Sequence, residues 1–342
     1  MNRFGQSRNH NIDLIKMVAC IAVVGIHAFP RDLSEITALL YYLCGFAVPV
    51  FFMSSGYLLL NRGPVTIKYS MKKCIGIIRV VICWNTIISG CKAIRALVLS
   101  RDFMNELINL PLECVKSIFK EGTIWQFWYL GALLIIYLLL PILSRLTKMR
   151  KVFLIGTGVM AIIIELTAFY LKYPVQKGVV QTLRLWTWIF YLLLGSEICK
   201  IQKWISKHIS IKQHIFIFGV YTIFNLAYQM IVGTYLITEA GKRLHAEYFY
   251  DSLCEMVWIT LLFTLILRFP LSNTVEKYVS KIAPLTMGIY IIHPFIIRTF
   301  KKIVGIESLA TALTCGLVTV VISYGLALII SKIKCGRYLI KI

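Results

Sequence analysis

Long apolar stretches, separated by short segments rich in lysine and arginine, constrain this chain most. Hydrophobic residues make up 58% of its 342 residues and charged residues only 15%, and its mean hydropathy is +0.77. A water-soluble domain cannot bury so large an apolar fraction, so the sequence predicts a polytopic membrane protein. Because a helix satisfies its own backbone hydrogen bonds in lipid, we expect an all-α membrane bundle.

About ten windows are long enough to span a bilayer. They cover residues 12–29, 38–60, 74–98, 124–144, 152–171, 182–200, 214–236, 248–268, 282–300 and 307–331. The longest connection, about residues 99–123, has an apolar pattern that favours an interfacial or re-entrant helix, with a plain surface loop as the alternative. The sequence shows no internal repeat and no soluble segment, so we expect a single integral-membrane domain over residues 1–342.

The distribution of basic residues predicts the orientation of the bundle. About twice as many lysines and arginines lie in one set of connections as in the opposite set; the richer set comprises the N-terminus (Arg3 and Arg8), 61–73, 145–151, 200–213, 268–281 and the tail. By the positive-inside rule, both termini are predicted to be cytoplasmic in a cell membrane. The net charge of +22 is dispersed among these connections, and we therefore expect no nucleic-acid partner.

Two histidines lie within the apolar windows. His27 is near the end of the first window, and His293 is in the ninth. A charged side chain at bilayer depth costs about 2.5–3.5 kcal/mol, so an ionisable residue there usually has a function. At about 1.5 Å per helical residue, both histidines are expected past mid-depth, toward the outer face. The alternative is a neutral histidine that hydrogen-bonds a neighbouring helix.

Three carboxylates are predicted in the same outer half of the bundle. Glu165 belongs to the fifth window, and Asp251 and Glu255 belong to the eighth. A carboxylate can hold an imidazole in one tautomer and raise its basicity, so we take His27, His293, Glu165 and Asp251 as candidate catalytic residues. Separate hydrogen bonds between helices are the alternative. The ten cysteines form no C-x-x-C pair or Cys/His cluster, so no metal site is expected.

Four basic residues are predicted near the cytoplasmic side of the bundle. Lys72 and Lys73 precede the third window, Arg79 lies inside it, and Lys16 lies in the first window. Such a strip suits a phosphorylated ligand from the cytoplasm, because ammonium and guanidinium groups form charge-assisted hydrogen bonds to phosphate. Binding of anionic lipid head groups is the alternative.

Several motifs, in this order, resemble those of the acyltransferase-3 family of integral-membrane acyltransferases. The first window has an aspartate, a basic residue and, after ten intervening residues, a histidine: Asp13, Lys16 and His27. The family usually has arginine where this chain has Lys16, and lysine keeps the charge but loses the planar bidentate fork. The other motifs are VPVFFMSSGYLLL (48–60), KKCIGIIR (72–79), FWYLGALLIIYLLLPIL (127–143), FYLLLG (190–195) and GIYIIHP (288–294).

This resemblance implies O-acetylation with acetyl-CoA as the acyl donor, supplied from the cytoplasm. His27 would be the general base, and Lys16, Lys72, Lys73 and Arg79 would hold the coenzyme phosphates. The acceptor would be a hydroxyl of a surface polysaccharide or a lipid-linked glycan. The chain is not expected to carry the hydrolase-like or racemase domain that is fused to some members. A transporter of a glycan or small anionic metabolite is the competing class, in which the buried acidic and histidine side chains relay protons.

Overall fold

The computed structural model describes residues 8–238 and 240–341, so Arg3 lies outside the described residues. The described residues form helices and no strand. The helices are α1 (His10–Ala28), α2 (Glu35–Leu43), α3 (Ala47–Leu59), α4 (Ile67–Val98), α5 (Met104–Ile108), α6 (Leu110–Ile118), α7 (Trp128–Arg145), α8 (Arg150–Leu171), α9 (Leu185–His208), α10 (Ile211–Ile231), α11 (Leu253–Arg268), α12 (Asn273–Ile282), α13 (Thr286–Ile303), α14 (Leu309–Lys332) and α15 (Arg337–Ile340).

Eight helical stretches of the described chain are long and apolar enough to cross a membrane. Two of them are interrupted, because α2 with α3 and α12 with α13 each form one stretch. The remaining predicted spans, 182–200 and 248–268, correspond to α9 and to α11, which has 16 residues. The expectation of an all-α polytopic bundle is confirmed.

Several local features differ from the predicted windows. Helix α4 begins at Ile67 after the Thr66 cap, so Lys72 and Lys73 lie in its second turn rather than in a loop. The connection 99–123, for which an interfacial or re-entrant helix was predicted, contains two short helices, α5 and α6. The helix predicted over 248–268 begins only at Leu253, and Asp251 lies in a 3-10 turn before it.

The backbones of α3 and α9 approach each other closely in the centre of the bundle. A Cβ atom at Gly56 would lie 1.7 Å from the carbonyl oxygen of Leu192, and one at Gly195 would lie 2.0 Å from that of Met53. Small residues allow this kind of close helix packing, which is common in membranes. Both glycines belong to segments that resemble family motifs. A larger residue at either position would overlap the facing backbone, which explains why glycine is found there.

Helix α1 brings the first-window residues into contact with α3, α13 and α14. Its N-terminus is capped by the Asn9 side chain, which accepts hydrogen bonds from the backbone N–H groups of Asn11 and Ile12. At the same end of the bundle, α15 folds back onto α4, where the Trp84 indole donates to the Leu339 carbonyl at 2.9 Å. The last described turn therefore packs against α4, α13 and α14.

Gly195→Ala tests the close packing of α3 against α9. The added methyl group has no room beside the Met53 backbone, so we expect a loss of about 1–3 kcal/mol or more of folding stability. Thermal unfolding in detergent is the measurement. Gly219→Ala in α10 is the matched control, because nothing lies within 4 Å of its Cβ position. Equal melting temperatures for the two variants would contradict the contact.

Candidate active site

The structure brings the two predicted histidines together. The rings of His27 on α1 and His293 on α13 stack with centroids 5.3 Å apart and an angle of 20° between their planes. His293 is fully buried, and its Nδ1 lies 3.3 Å from the Ile289 carbonyl oxygen. Its Nε2 has no hydrogen-bond partner among the described residues. A buried imidazole nitrogen without a partner is costly in a structural role, and it is available to a substrate.

Two aromatic residues complete the surroundings of the histidine pair. Trp125 lies edge-on to His27, with centroids 5.2 Å apart, and Tyr290 lies 6.0 Å from His293. The Tyr290 hydroxyl donates to the backbone carbonyl of Gln126, whose side chain is buried. Trp125 and Gln126 lie in a 3-10 turn before α7. Sequence reasoning did not identify either aromatic residue, because tryptophan and tyrosine are common in apolar helices and give no distinct signal.

The predicted carboxylates do not join the histidines. Glu165 accepts a hydrogen bond from the Tyr228 hydroxyl, and Asp251 accepts one from the Thr187 hydroxyl at 2.5 Å. Among the described residues, neither shares a hydrogen bond or ion pair with His27 or His293. Each carboxylate instead ties together elements around α8, α9 and α10. Their assignment as catalytic residues stays a prediction, and these hydrogen bonds do not connect either carboxylate to an imidazole.

Glu247 is a largely buried carboxylate that sequence reasoning missed. It lies in the 3-10 turn Ala246–Asp251, and Lys120 donates to its two carboxylate oxygens at 2.7 and 2.9 Å. The Arg184 guanidinium lies 3.9 Å away. Burial alone would raise the pKa of Glu247, but the charges of Lys120 and Arg184 outweigh it and lower this pKa to about 2. Glu247 is therefore ionised at neutral pH.

A cavity of about 1480 Å³ opens at the end of the bundle where α1 begins and α15 ends. Basic residues line its mouth, and apolar and aromatic residues line its inner part, about 10 Å farther along α1. The basic lining residues are Arg8, Lys16, Arg62, Lys73 and Lys341; the inner ones are Val23, Phe51, Tyr129, Leu133 and Tyr290. Val23 lies one helical turn from His27, so the inner end of the cavity comes close to the histidine pair.

The four predicted cofactor-binding residues divide into two groups. Lys16 and Lys73 line the cavity, whereas Lys72 is exposed and does not. The Arg79 guanidinium donates to the Lys341 carbonyl at 3.1 Å and lies 4.6 Å from the Tyr338 ring. Arg79 thus contacts the α15 segment, and its role toward a coenzyme stays a prediction. Within the described residues, no three histidine, cysteine or acidic side chains are grouped closely enough to hold a metal ion.

Glu247→Gln tests the ion pair with Lys120. At pH 7 we expect a loss of about 1.5 kcal/mol, near the low end for charge-assisted hydrogen bonds, because Lys120 is a third exposed. A carboxyl group with a lowered pKa stabilises above its unfolded-state pKa of about 4.3, and this contribution is lost as the pH falls toward 2. Thermal unfolding at pH 7 and pH 3 should therefore show a smaller wild-type advantage at pH 3. Glu121→Gln at an exposed neighbouring position is the control, and a pH-independent difference would contradict this reasoning.

Comparison with known proteins agrees with the motifs. A curated protein of Enterococcus faecalis named amino-acid racemase is 24% identical over 357 aligned positions, which cover 96% of this chain and 46% of that protein. The chain thus spans about half the length of this relative. No solved structure matches this chain at a significant level. A family model described as an acyltransferase domain matches residues 9–330. With its motifs in family order and nearly its whole length matched, the chain belongs to the acyltransferase-3 family.

Proposed function

We propose that the protein is a membrane O-acyltransferase that moves an acetyl group from cytoplasmic acetyl-CoA to a hydroxyl of a surface or lipid-linked glycan. One observation carries this proposal. The stacked pair of His27 and His293 lies just beyond the inner end of a large cavity whose mouth is cationic. Membership in an acyltransferase family supplies the reaction class.

The cavity suits a long, phosphorylated donor. Its volume of about 1480 Å³ exceeds the roughly 300–1,000 Å³ of ordinary small-ligand sites. Lys16 and Lys73, with Arg62, would hold the coenzyme phosphates at the mouth by charge-assisted hydrogen bonds. The apolar inner part would take the coenzyme arm, so that the thioester points toward His27. The basic mouth also belongs to the side that the positive-inside rule assigns to the cytoplasm.

The histidine pair would then carry out the proton transfers. His27 takes the proton from the acceptor hydroxyl as its oxygen attacks the thioester carbonyl. The tetrahedral intermediate collapses, the carbon–sulfur bond breaks, and the coenzyme leaves as a thiolate. The imidazolium returns the proton to that sulfur, which yields the acetyl ester and free thiol. His293 is stacked on His27; because its Nδ1 faces the Ile289 carbonyl and donates to it, its unpartnered Nε2 can accept a hydrogen bond from the acceptor hydroxyl.

Neighbouring lysines on α4 provide a test of donor binding. Lys73 lines the cavity and Lys72 does not, so Lys73→Gln is expected to weaken acetyl-CoA binding more than Lys72→Gln. A charge-assisted hydrogen bond to phosphate contributes about 1.5–3 kcal/mol, which corresponds to a loss of roughly tenfold or more in affinity. Binding to purified, monodisperse protein is the measurement. Equal effects of the two substitutions would contradict the assignment of the cavity as the acetyl-CoA site.

His27→Ala is expected to abolish acetyl transfer. His27→Gln should be equally inactive, because glutamine keeps a hydrogen-bonding side chain but cannot cycle a proton near neutral pH. The measurement is release of free thiol from acetyl-CoA together with formation of an acetylated glycan. Retained activity in His27→Gln would show that His27 only positions its neighbours. Movement of a glycan across vesicle membranes without an acetylated product would favour the transporter instead.

A further inference from the structure

Tyr290 contacts both the donor cavity and the histidine pair. Its ring lines the inner end of the cavity, and the same ring lies 6.0 Å from that of His293. Neither His27 nor His293 is among the residues that line the cavity. Tyr290 is therefore a lining residue of the cavity whose ring also contacts an imidazole of the pair.

Contacts on two sides hold the Tyr290 ring in this position. Tyr129, which also lines the cavity, packs edge-on against it with centroids 5.6 Å apart. The Tyr290 hydroxyl donates to the Gln126 carbonyl, and the Gln126 side-chain amide lies 3.4 Å from the Ile291 carbonyl oxygen. Gln126 follows Trp125, whose ring contacts His27. The ring is thus anchored to the turn that also carries a neighbour of the proposed base.

Building on the proposed function, we propose that Tyr290 is a specificity-determining residue that separates the donor cavity from the histidine pair and limits the length of the transferred acyl group. The thioester carbonyl has to pass the edge of this ring to reach His27. A two-carbon acyl group needs little space beyond the ring, whereas each further methylene has to fit against it. Val23 and Leu133 contribute apolar side chains to the cavity wall. Loss of the ring would open an apolar space that longer acyl chains can fill.

Donor preference is the first test. Acyl transfer is measured with acetyl-CoA and hexanoyl-CoA, and the ratio of their kcat/KM values is compared among variants. Tyr290→Ala is expected to shift this ratio toward hexanoyl by at least about tenfold, because four more methylene groups gain an apolar site. Tyr290→Leu should give a smaller shift. Tyr290→Phe keeps the ring and should keep the wild-type ratio.

Tyr137→Ala is the matched control for donor preference. Like Tyr290, Tyr137 lines the cavity. It lies on α7, about 12 Å from Tyr129 in the direction of the mouth. Its truncation enlarges the cavity without connecting it to His293, so the donor ratio is expected to stay at the wild-type value. An unchanged ratio in active Tyr290→Ala, or an equal shift in Tyr137→Ala, would overturn the assignment.

Chemical accessibility tests the separation without relying on acyl transfer. His293→Cys is prepared with Tyr290 in place and together with Tyr290→Ala, and both proteins are treated with a small thiol reagent added on the side of the cavity mouth. Peptide mass spectrometry then reads modification at position 293 alone. We expect modification only in the double variant, and rapid modification with Tyr290 in place would overturn the proposal. If the wild type transfers no acyl group but this pattern appears, the proposed function fails while the separation by Tyr290 stands.

Discussion

The contact between α3 and α9 determines where the other helices can lie. Gly56 and Gly195 bring the two backbones together, and α1 also packs against α3. Phe51 on α3 faces the cavity, whereas Phe52 on the same helix stacks on Trp188 of α9 at 4.8 Å. A wider separation of α3 and α9 would move α3 relative to α1. The part of the cavity wall that Phe51 forms would move with it.

The sequence predicts how deep a residue lies in the membrane better than it predicts which residues it contacts. Once the spans and their direction are assigned, the helical rise places His27 and His293 at similar depth, and the structure stacks them. Glu165 and Asp251 were placed at a similar level by the same reasoning, but they bond to Tyr228 and Thr187 instead. Depth is a one-dimensional property, whereas the lateral order of helices depends on packing between faces. This order carries little signal when nearly every residue of a span is apolar.

The partners of charged residues far apart in the sequence were out of reach for the same reason. The Lys120–Glu247 pair joins two connections that are 127 positions apart, and Arg79 contacts a carbonyl group in the last described turn. Lys120 and Glu247 do not stand out in the sequence, because charged residues in connections are common in any membrane protein; Arg79 does stand out, but its partner at the other end of the chain does not. The break between α2 and α3 was also missed, since the predicted window 38–60 is apolar throughout. Tertiary packing decides these features.

The separation of the histidines from the carboxylates has a chemical consequence. Conversion of a thioester and an alcohol into an ester and a thiol neither releases nor consumes a proton, so a base that returns its proton to the leaving sulfur needs no path to either side of the membrane. A proton-coupled transporter, in contrast, requires connected titratable groups across the bilayer. Among the described residues, His27 and His293 contact each other and aromatic rings but share no hydrogen bond with a carboxylate. This pair suits a reaction that is completed within one site, and among the described residues no hydrogen-bonded carboxylate extends it into a relay.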